Sequence, residues 1–93
     1  MTNTEGIYQR SEKFISSDLG EAMILTNIDS DKFYGTNVVG LHIWDLLQDP
    51  ISFNSIVEAL LKVFKVEKSK CESEVQSFMS ELSNAGAVQE MDK

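Results

Sequence analysis

The hydrophobic pattern changes its period once along this chain, close to Gly35, and this change constrains the fold more than any other feature. Before Gly35 the apolar residues come in short runs separated by turn-forming residues, which is typical of strands. After Gly35 they recur every three or four residues, as on the buried side of an amphipathic helix. The sequence therefore predicts an α+β fold in which strands come first and helices follow.

Three strands are predicted before this change, and tight turns join them. The first lies near residues 12–17 and is followed by a turn at residues 18–20. The second is the apolar run 22–26, which is rich in strand-forming residues. After a polar turn at residues 27–31, the third and shortest strand comprises residues 32–34. Strands joined this closely form an antiparallel meander.

Three helices are predicted after the change. The first begins at a capping residue, Thr36 or Asn37, and ends before Pro50, which cannot continue the helical hydrogen bonding. The second covers residues 53–64, where apolar side chains recur at helical spacing, and the third covers residues 67–84. Short connections make such helices pack as one unit, and with the small sheet beside them they resemble a winged helix-turn-helix.

One small domain accounts for a chain of 93 residues. The predicted elements place this domain over residues 12–88. Residues 1–11 and 89–93 are predicted to be polar tails, since neither segment carries a sustained apolar period.

The charge of the chain argues against nucleic acid as a partner. The formal net charge is −7, and the eight lysines and arginines are scattered rather than clustered for phosphate contacts. No apolar run approaches the roughly 20 residues of a membrane span. A polar N-terminal segment and a single cysteine predict a cytoplasmic location, without a membrane partner.

The residues that commonly carry catalysis or bind metals are too few for a site. His42 is the only histidine and has no cysteine or histidine at metal-ligand spacing. Cys71 has Lys68 and Lys70 nearby, a setting that can lower a thiol pKa, but nothing completes a nucleophile–base set. We therefore expect structural roles for His42 and Cys71, no metal or cofactor, and no enzymatic activity.

The third predicted strand is a candidate binding surface. The side chains of Phe33 and Tyr34 point to opposite faces of the strand, so only one of them can face the helices. If this strand is a sheet edge, its outward N–H and C=O groups can accept an extended peptide by strand addition. The same edge can also pair with a second copy of the chain, so a monomer and an edge-strand dimer both fit the sequence.

Several segments, taken in order, resemble the PqqD-like proteins, or RiPP recognition elements, which bind precursor peptides of ribosomally made natural products. Residues 32–47 resemble the family's YxLNxxGxxIWxLL segment, and residues 51–61 resemble its TVxEIVxxL helix. Residues 75–82, followed by 85–88, resemble its DVxxFLxxLxxxGLV ending. The chain has Thr36 where the family has leucine, a change expected to loosen packing at the junction of strand and helix.

The resemblance implies where a peptide binds. The leader part of a precursor is expected to add as an antiparallel strand to the third predicted strand, in a groove between that strand and the third helix. Carried onto this sequence, its backbone partners are Asp31, Lys32, Phe33, Tyr34 and Gly35. The groove wall is expected to come from the third helix, from Cys71, Glu74, Val75, Phe78, Met79 and Leu82. The resemblance also implies a separate maturation enzyme, either a leader peptidase of a lasso-peptide pathway or a radical-SAM enzyme.

Two other functions are compatible with a small acidic domain of this kind. A winged-helix regulator would bind DNA, but its recognition helix would carry Glu67, Glu72 and Glu74, which phosphates repel. A small acidic carrier or adaptor would need no groove. An acyl carrier requires Asp-Ser-Leu at the start of a helix, whereas residues 17–19 read Ser-Asp-Leu before a turn. We favour the peptide-binding hypothesis.

Overall fold

Two three-stranded sheets and three helices make up the part of the chain that the computed structural model describes, residues 6–91. In chain order the elements are β1 (Ile7–Arg10), β2 (Phe14–Asp18), β3 (Ala22–Asn27), β4 (Phe33–Asn37), α1 (Val38–Leu46), β5 (Ile51–Ser52), α2 (Phe53–Val63), α3 (Lys68–Ala85) and β6 (Val88–Met91). One sheet has the strand order β2-β3-β4 and the other β5-β1-β6, and every pairing is antiparallel. The predicted α+β class, the three-stranded meander and the three following helices are confirmed.

Local side-chain chemistry fixes where the helices begin and end. Asn37, not Thr36, caps α1, since its side-chain oxygen accepts a hydrogen bond from the Gly40 N–H at 3.0 Å. Ser52 caps α2 in the same way, through the Ser55 N–H at 3.2 Å. α3 ends at Gly86, which adopts the left-handed conformation with φ of 78°. These caps fix the boundaries that orient α1 and α3 around the meander.

Residues 7–10 form a strand, and the prediction of a polar tail over residues 1–11 is wrong for this segment. β1 lies between β5 and β6, and Ile7 is opposite Met91 while Arg10 is opposite Val88. The Arg10 guanidinium lies 5.2 Å from the ring centroid of the buried Trp44 and donates to the Trp44 carbonyl at 3.2 Å. Residues 1–5 lie outside the described residues.

The C-terminal segment is also a strand. Gly86 reverses the chain direction, the Ala87 N–H donates to the Leu82 carbonyl at 2.8 Å, and β6 then runs back along β1. The prediction of a tail from residue 89 is therefore wrong as far as Met91, and residues 92–93 lie outside the described residues. A strand of this length carries too weak a pattern to be recognised without its partner.

The core lies between the helices and one face of the β2-β3-β4 sheet. The side chains with almost no exposed surface come from β3, from the three helices and from the residue after α1: Met23, Leu25, Ile43, Trp44, Leu47, Ile56, Val57, Leu60 and Val75. Met23 and Leu25 alternate along β3 with half-buried residues that point the other way. The sheet therefore packs on one face only.

Candidate functional site

β4 is an edge strand. Within residues 6–91 its partner in the sheet is β3, which pairs with it from Ala22 opposite Asn37 to Thr26 opposite Phe33. The Asn27 N–H donates to the Lys32 carbonyl at 2.8 Å. In an antiparallel ladder the backbone N–H and C=O groups of successive residues point in alternate directions. Lys32, Tyr34 and Thr36 therefore direct their backbone groups toward β3. The residues between them direct their N–H and C=O groups away from the sheet.

This alternation corrects the predicted set of backbone partners, Asp31 to Gly35. Asp31 lies in the turn before the strand, with a left-handed φ of 61° and its N–H bonded to the Asn27 carbonyl. Lys32 and Tyr34 direct their backbone groups toward β3. Phe33 and Gly35 are the members of the set with outward backbone groups, because only alternate residues of an edge strand face outward.

A groove of about 410 Å³ adjoins this edge. The end of β4 and the start of α1 form one side of it, and α3 forms the other. Its lining from β4 and α1 is Gly35, Thr36, Asn37, Val39, Gly40 and Ile43. Its lining from α3 is Glu74, Ser77, Phe78 and Glu81. The free edge and the groove therefore share Gly35 and form one continuous surface.

Two adjacent stripes of α3 have different roles. The residues at most 5% exposed form the core stripe: Cys71, Val75, Met79 and Leu82. The groove residues Glu74 and Phe78 lie about a quarter turn away around the helix. The prediction that all six residues line the groove is therefore wrong for the four core residues.

The sequence interpretation missed two groove residues on α3. Ser77 and Glu81 follow Glu74 by three and seven positions, which places them on the same stripe as Phe78. This helical spacing was the available signal. Both residues are polar, so the apolar pattern of α3, which belongs mainly to the core, does not include them.

Close packing at the junction of β4 and α1 shapes the groove floor. A Cβ built at Gly40 would lie 2.9 Å from the Thr36 Cβ, a distance that side chains do not tolerate. Gly40 therefore lets the first turn of α1 lie directly against β4. Thr36, which stands where the family has leucine, is half-buried, and its side chain lies against this glycine.

The charged side chains that line the groove are both acidic. Glu74 and Glu81 are exposed, and no lysine or arginine among the described residues lines this space. Lys70 lies one turn before Glu74 on the same side of α3, beyond the groove lining. The groove therefore disfavours a bound acidic side chain.

The described residues 6–91 contain no cluster of three or more histidine, cysteine or acidic side chains with the geometry of a metal site. His42 is half-buried on α1, and its ring makes an edge-to-face contact with Phe64 at 5.2 Å between centroids. None of the helices in this range is long and apolar enough to cross a membrane.

The family of the chain follows from its sequence. The model of the family described as coenzyme PQQ synthesis protein D (PqqD) matches residues 22–88, most of the chain. The chain belongs to the PqqD family. A search of the curated proteins finds no match to this PqqD-family member.

Two solved structures have the same fold as this PqqD-family protein. One is TbiB1 in complex with the TbiA(beta) leader peptide, with a TM-score of 0.79 and 21% identity over 91% of this chain and 99% of TbiB1. The other is lasso peptide synthetase B1 complexed with the leader peptide, with a TM-score of 0.75 and 17% identity over 88% of this chain and 96% of that chain. Each of these likenesses covers most of both chains.

Cys71 of the PqqD-family protein is a buried thiol and not an activated one. Its Sγ–H donates to the Val57 carbonyl at 3.9 Å. Burial first, and then the negative charges of Glu74 and Glu72, raise the pKa of the Cys71 thiol. This burial fits the structural role expected for Cys71, and the pKa of its thiol is raised despite the nearby Lys68 and Lys70.

We expect slow alkylation of native Cys71 by iodoacetamide at pH 8 and fast alkylation in urea. Because folding raises the pKa of this thiol, the thiol's contribution to stability is complete below its ordinary unfolded pKa and is lost as pH rises through the folded pKa. Between pH 7 and pH 9.5, the free energy of unfolding measured in urea should therefore fall further for wild type than for Cys71→Ala. Rapid alkylation of the native protein at pH 8 would contradict this assignment.

Proposed function

We propose that this PqqD-family protein binds the leader segment of a ribosomally made precursor peptide by strand addition to β4. The observation that carries this proposal is the outward backbone of Phe33 and Gly35 directly beside the groove lined by Phe78. Strand addition uses main-chain hydrogen bonds for affinity and pockets for alternate side chains for specificity. This surface offers both.

The role proposed for the protein is recognition without catalysis. The groove is lined by glycine, apolar and uncharged polar residues and by two glutamates, which is a binding surface and not an acid–base or nucleophilic site. We propose that the protein holds the leader while a separate maturation enzyme acts on the precursor. That enzyme is a leader peptidase of a lasso-peptide pathway or a radical-SAM enzyme. One solved structure of the same fold is lasso peptide synthetase B1 complexed with the leader peptide, and its name supports the lasso-peptide pathway.

Amide shifts on peptide titration test this proposal. The probe is a synthetic peptide that covers the leader of a candidate precursor. Shifts are expected together in β4 and along the groove side of α3 from Glu74 to Glu81. The sheet has a second edge, β2, so the titration also distinguishes the two edges. Shifts confined to β2, or to the β5-β1-β6 sheet, would refute binding at β4.

Phe78→Ala is expected to weaken leader binding about tenfold. Phe78 is half-buried in the groove wall, and aromatic side chains in such positions often carry a large share of the binding energy. Isothermal titration calorimetry measures the dissociation constant, and a thermal melt measures the accompanying stability loss of about 1–2 kcal/mol.

The matched control is Phe64→Ala, which removes a second half-buried phenylalanine that packs on His42 outside the groove. Phe64→Ala should lower stability by a similar amount and leave the dissociation constant unchanged. Equal weakening of binding by both variants would mean that loss of folding, and not loss of the groove wall, explains the effect.

A further inference from the structure

The face of the β2-β3-β4 sheet that points away from the helices has no charged strand residue. In register, Ile15 is opposite Thr26, which is opposite Phe33, and these three side chains lie on this outer face. The strand positions on the outer face up to Gly35 are Ile15, Ser17, Ala22, Ile24, Thr26, Phe33 and Gly35. In a chain with 25% charged residues, an uncharged sheet face of this extent is unusual for a surface that contacts only solvent.

The outer face is most open where it meets the free edge. Phe33 is 71% exposed, the largest exposed fraction among the large apolar side chains of residues 6–91. Two residues further along β4, a Cβ built at Gly35 would meet no atom within 4 Å. β4 therefore presents an aromatic ring beside an empty position on this face.

The side chains of a peptide that adds to β4 must point alternately to the two faces of the sheet. Its residues opposite Phe33 and Gly35 form the hydrogen-bonded pairs, because those two residues have outward backbone groups. Side chains of directly opposed residues share one face of the sheet, so these peptide side chains lie on the outer face. The peptide residues opposite Tyr34 and Thr36 point into the groove instead.

We infer that the outer face at β4 is a second specificity subsite for the bound peptide, and that it takes a bulky apolar side chain, preferably aromatic, from the peptide residue opposite Gly35. This inference rests on the proposed function. A glycine on one strand leaves room for a large ring from the neighbouring strand, and such a ring covers the glycine backbone. The same ring also lies diagonally beside Phe33, where it removes exposed aromatic surface from water.

The test uses a display library of random 12-residue peptides selected on the wild-type protein. Selected peptides are synthesised, and amide shifts establish whether they bind along β4. Each position of a β4-binding peptide is then changed to alanine, and its affinity is measured for wild type and for Phe33→Ala. The control variant is Ile15→Ala, which removes an exposed apolar side chain from the same face two strands away.

We expect one peptide position to require a bulky apolar side chain, with about a tenfold loss on its change to alanine. Phe33→Ala should cause a similar loss, and the two changes together should cost less than the product of both, as for groups in contact. Ile15→Ala should leave affinity unchanged. Gly35→Val, which fills the empty position and keeps the ladder, should shift the selection to small residues at that position.

Peptides that bind along β4 with equal affinity for wild type and Phe33→Ala, and with no bulky position, would overturn this inference and leave the proposed function intact. A selection whose peptides shift no β4 amide would overturn both. Thermal melts of Phe33→Ala and Ile15→Ala should match wild type closely, because both side chains are mostly exposed.

Discussion

Gly35→Pro should weaken leader binding at least tenfold while the protein keeps its fold. The Gly35 N–H points away from β3, so a proline at this position removes a hydrogen bond to the added strand and none to the sheet. The pyrrolidine ring also occupies the space that the peptide backbone needs. A lost hydrogen bond costs about 0.5–1.5 kcal/mol, which alone weakens binding roughly two- to thirteenfold, and the steric block adds to this cost. Titration calorimetry gives the dissociation constant.

The control for Gly35→Pro is Ser16→Pro on the other edge of the same sheet. The Leu19 N–H bonded to the Ala22 carbonyl fixes the alternation of β2, and in that alternation the Ser16 N–H also points outward. Ser16→Pro should therefore preserve both the fold and the affinity. The reverse result, with binding lost in Ser16→Pro and kept in Gly35→Pro, would move the peptide to β2 and refute the site described above.

Gln9→Pro should lower the melting temperature by roughly 10 °C. β1 is the middle strand of its sheet, and the Gln9 N–H faces β6, because the alternation follows from the Ser11 N–H bonded to the Ala87 carbonyl. Proline removes this ladder bond and leaves the Gln89 carbonyl without its partner, which costs about 1–3 kcal/mol. Each kcal/mol corresponds to about 4–8 °C in a domain of this size. Circular dichroism at 222 nm monitors the melt.

Gln9→Ala distinguishes the contribution of the Gln9 side chain from that of its backbone hydrogen bond in the strand. The Gln9 side chain makes one exposed hydrogen bond, from Nε2 to the Gln48 carbonyl at 3.2 Å, so its removal should change stability by no more than about 0.5 kcal/mol. If Gln9→Pro and Gln9→Ala melted at the same temperature, residues 7–10 would not be paired in solution and the N-terminal segment would be a tail after all.

The meander and the helices could be predicted because their signals are local. Residues 22–27 are a short apolar run between turns, and residues 53–63 repeat their apolar side chains at helical spacing within a few turns. Asn37 and Ser52 are short polar side chains directly before such periods, and both cap a helix. In each case a segment contains enough information to specify its own conformation.

β1 and β6 could not be predicted because their signals are not local. Each has four residues, and each is stabilised by the other from the opposite end of the sequence. Neither segment has a distinctive alternation of apolar and polar residues. In β1 all four residues are half-buried, so the strand has no clearly buried face. The stability of this pair comes from tertiary pairing and from the contact of Arg10 with Trp44.

The candidate groove lies between the predicted strand and the predicted helix, but its lining differs from the predicted side chains. An apolar stripe on α3 was the visible pattern, and apolar residues on a helix are first of all core residues. Of the six predicted wall residues, Glu74 and Phe78 lie on the neighbouring stripe that lines the groove. On β4, the turn around Asp31 decides which backbone groups face outward. The apolar pattern of the sequence does not specify the register that this turn sets.

The antiparallel pairing of β1 with β6 has a consequence for engineering. Ile7 is directly opposite Met91, so the polypeptide enters and leaves residues 7–91 at neighbouring points. A loop of a host enzyme can therefore receive this segment as an insertion without being stretched, and β4 belongs to the other sheet and stays accessible. Such a chimaera would keep a captured substrate tethered beside the host's active centre at high effective concentration.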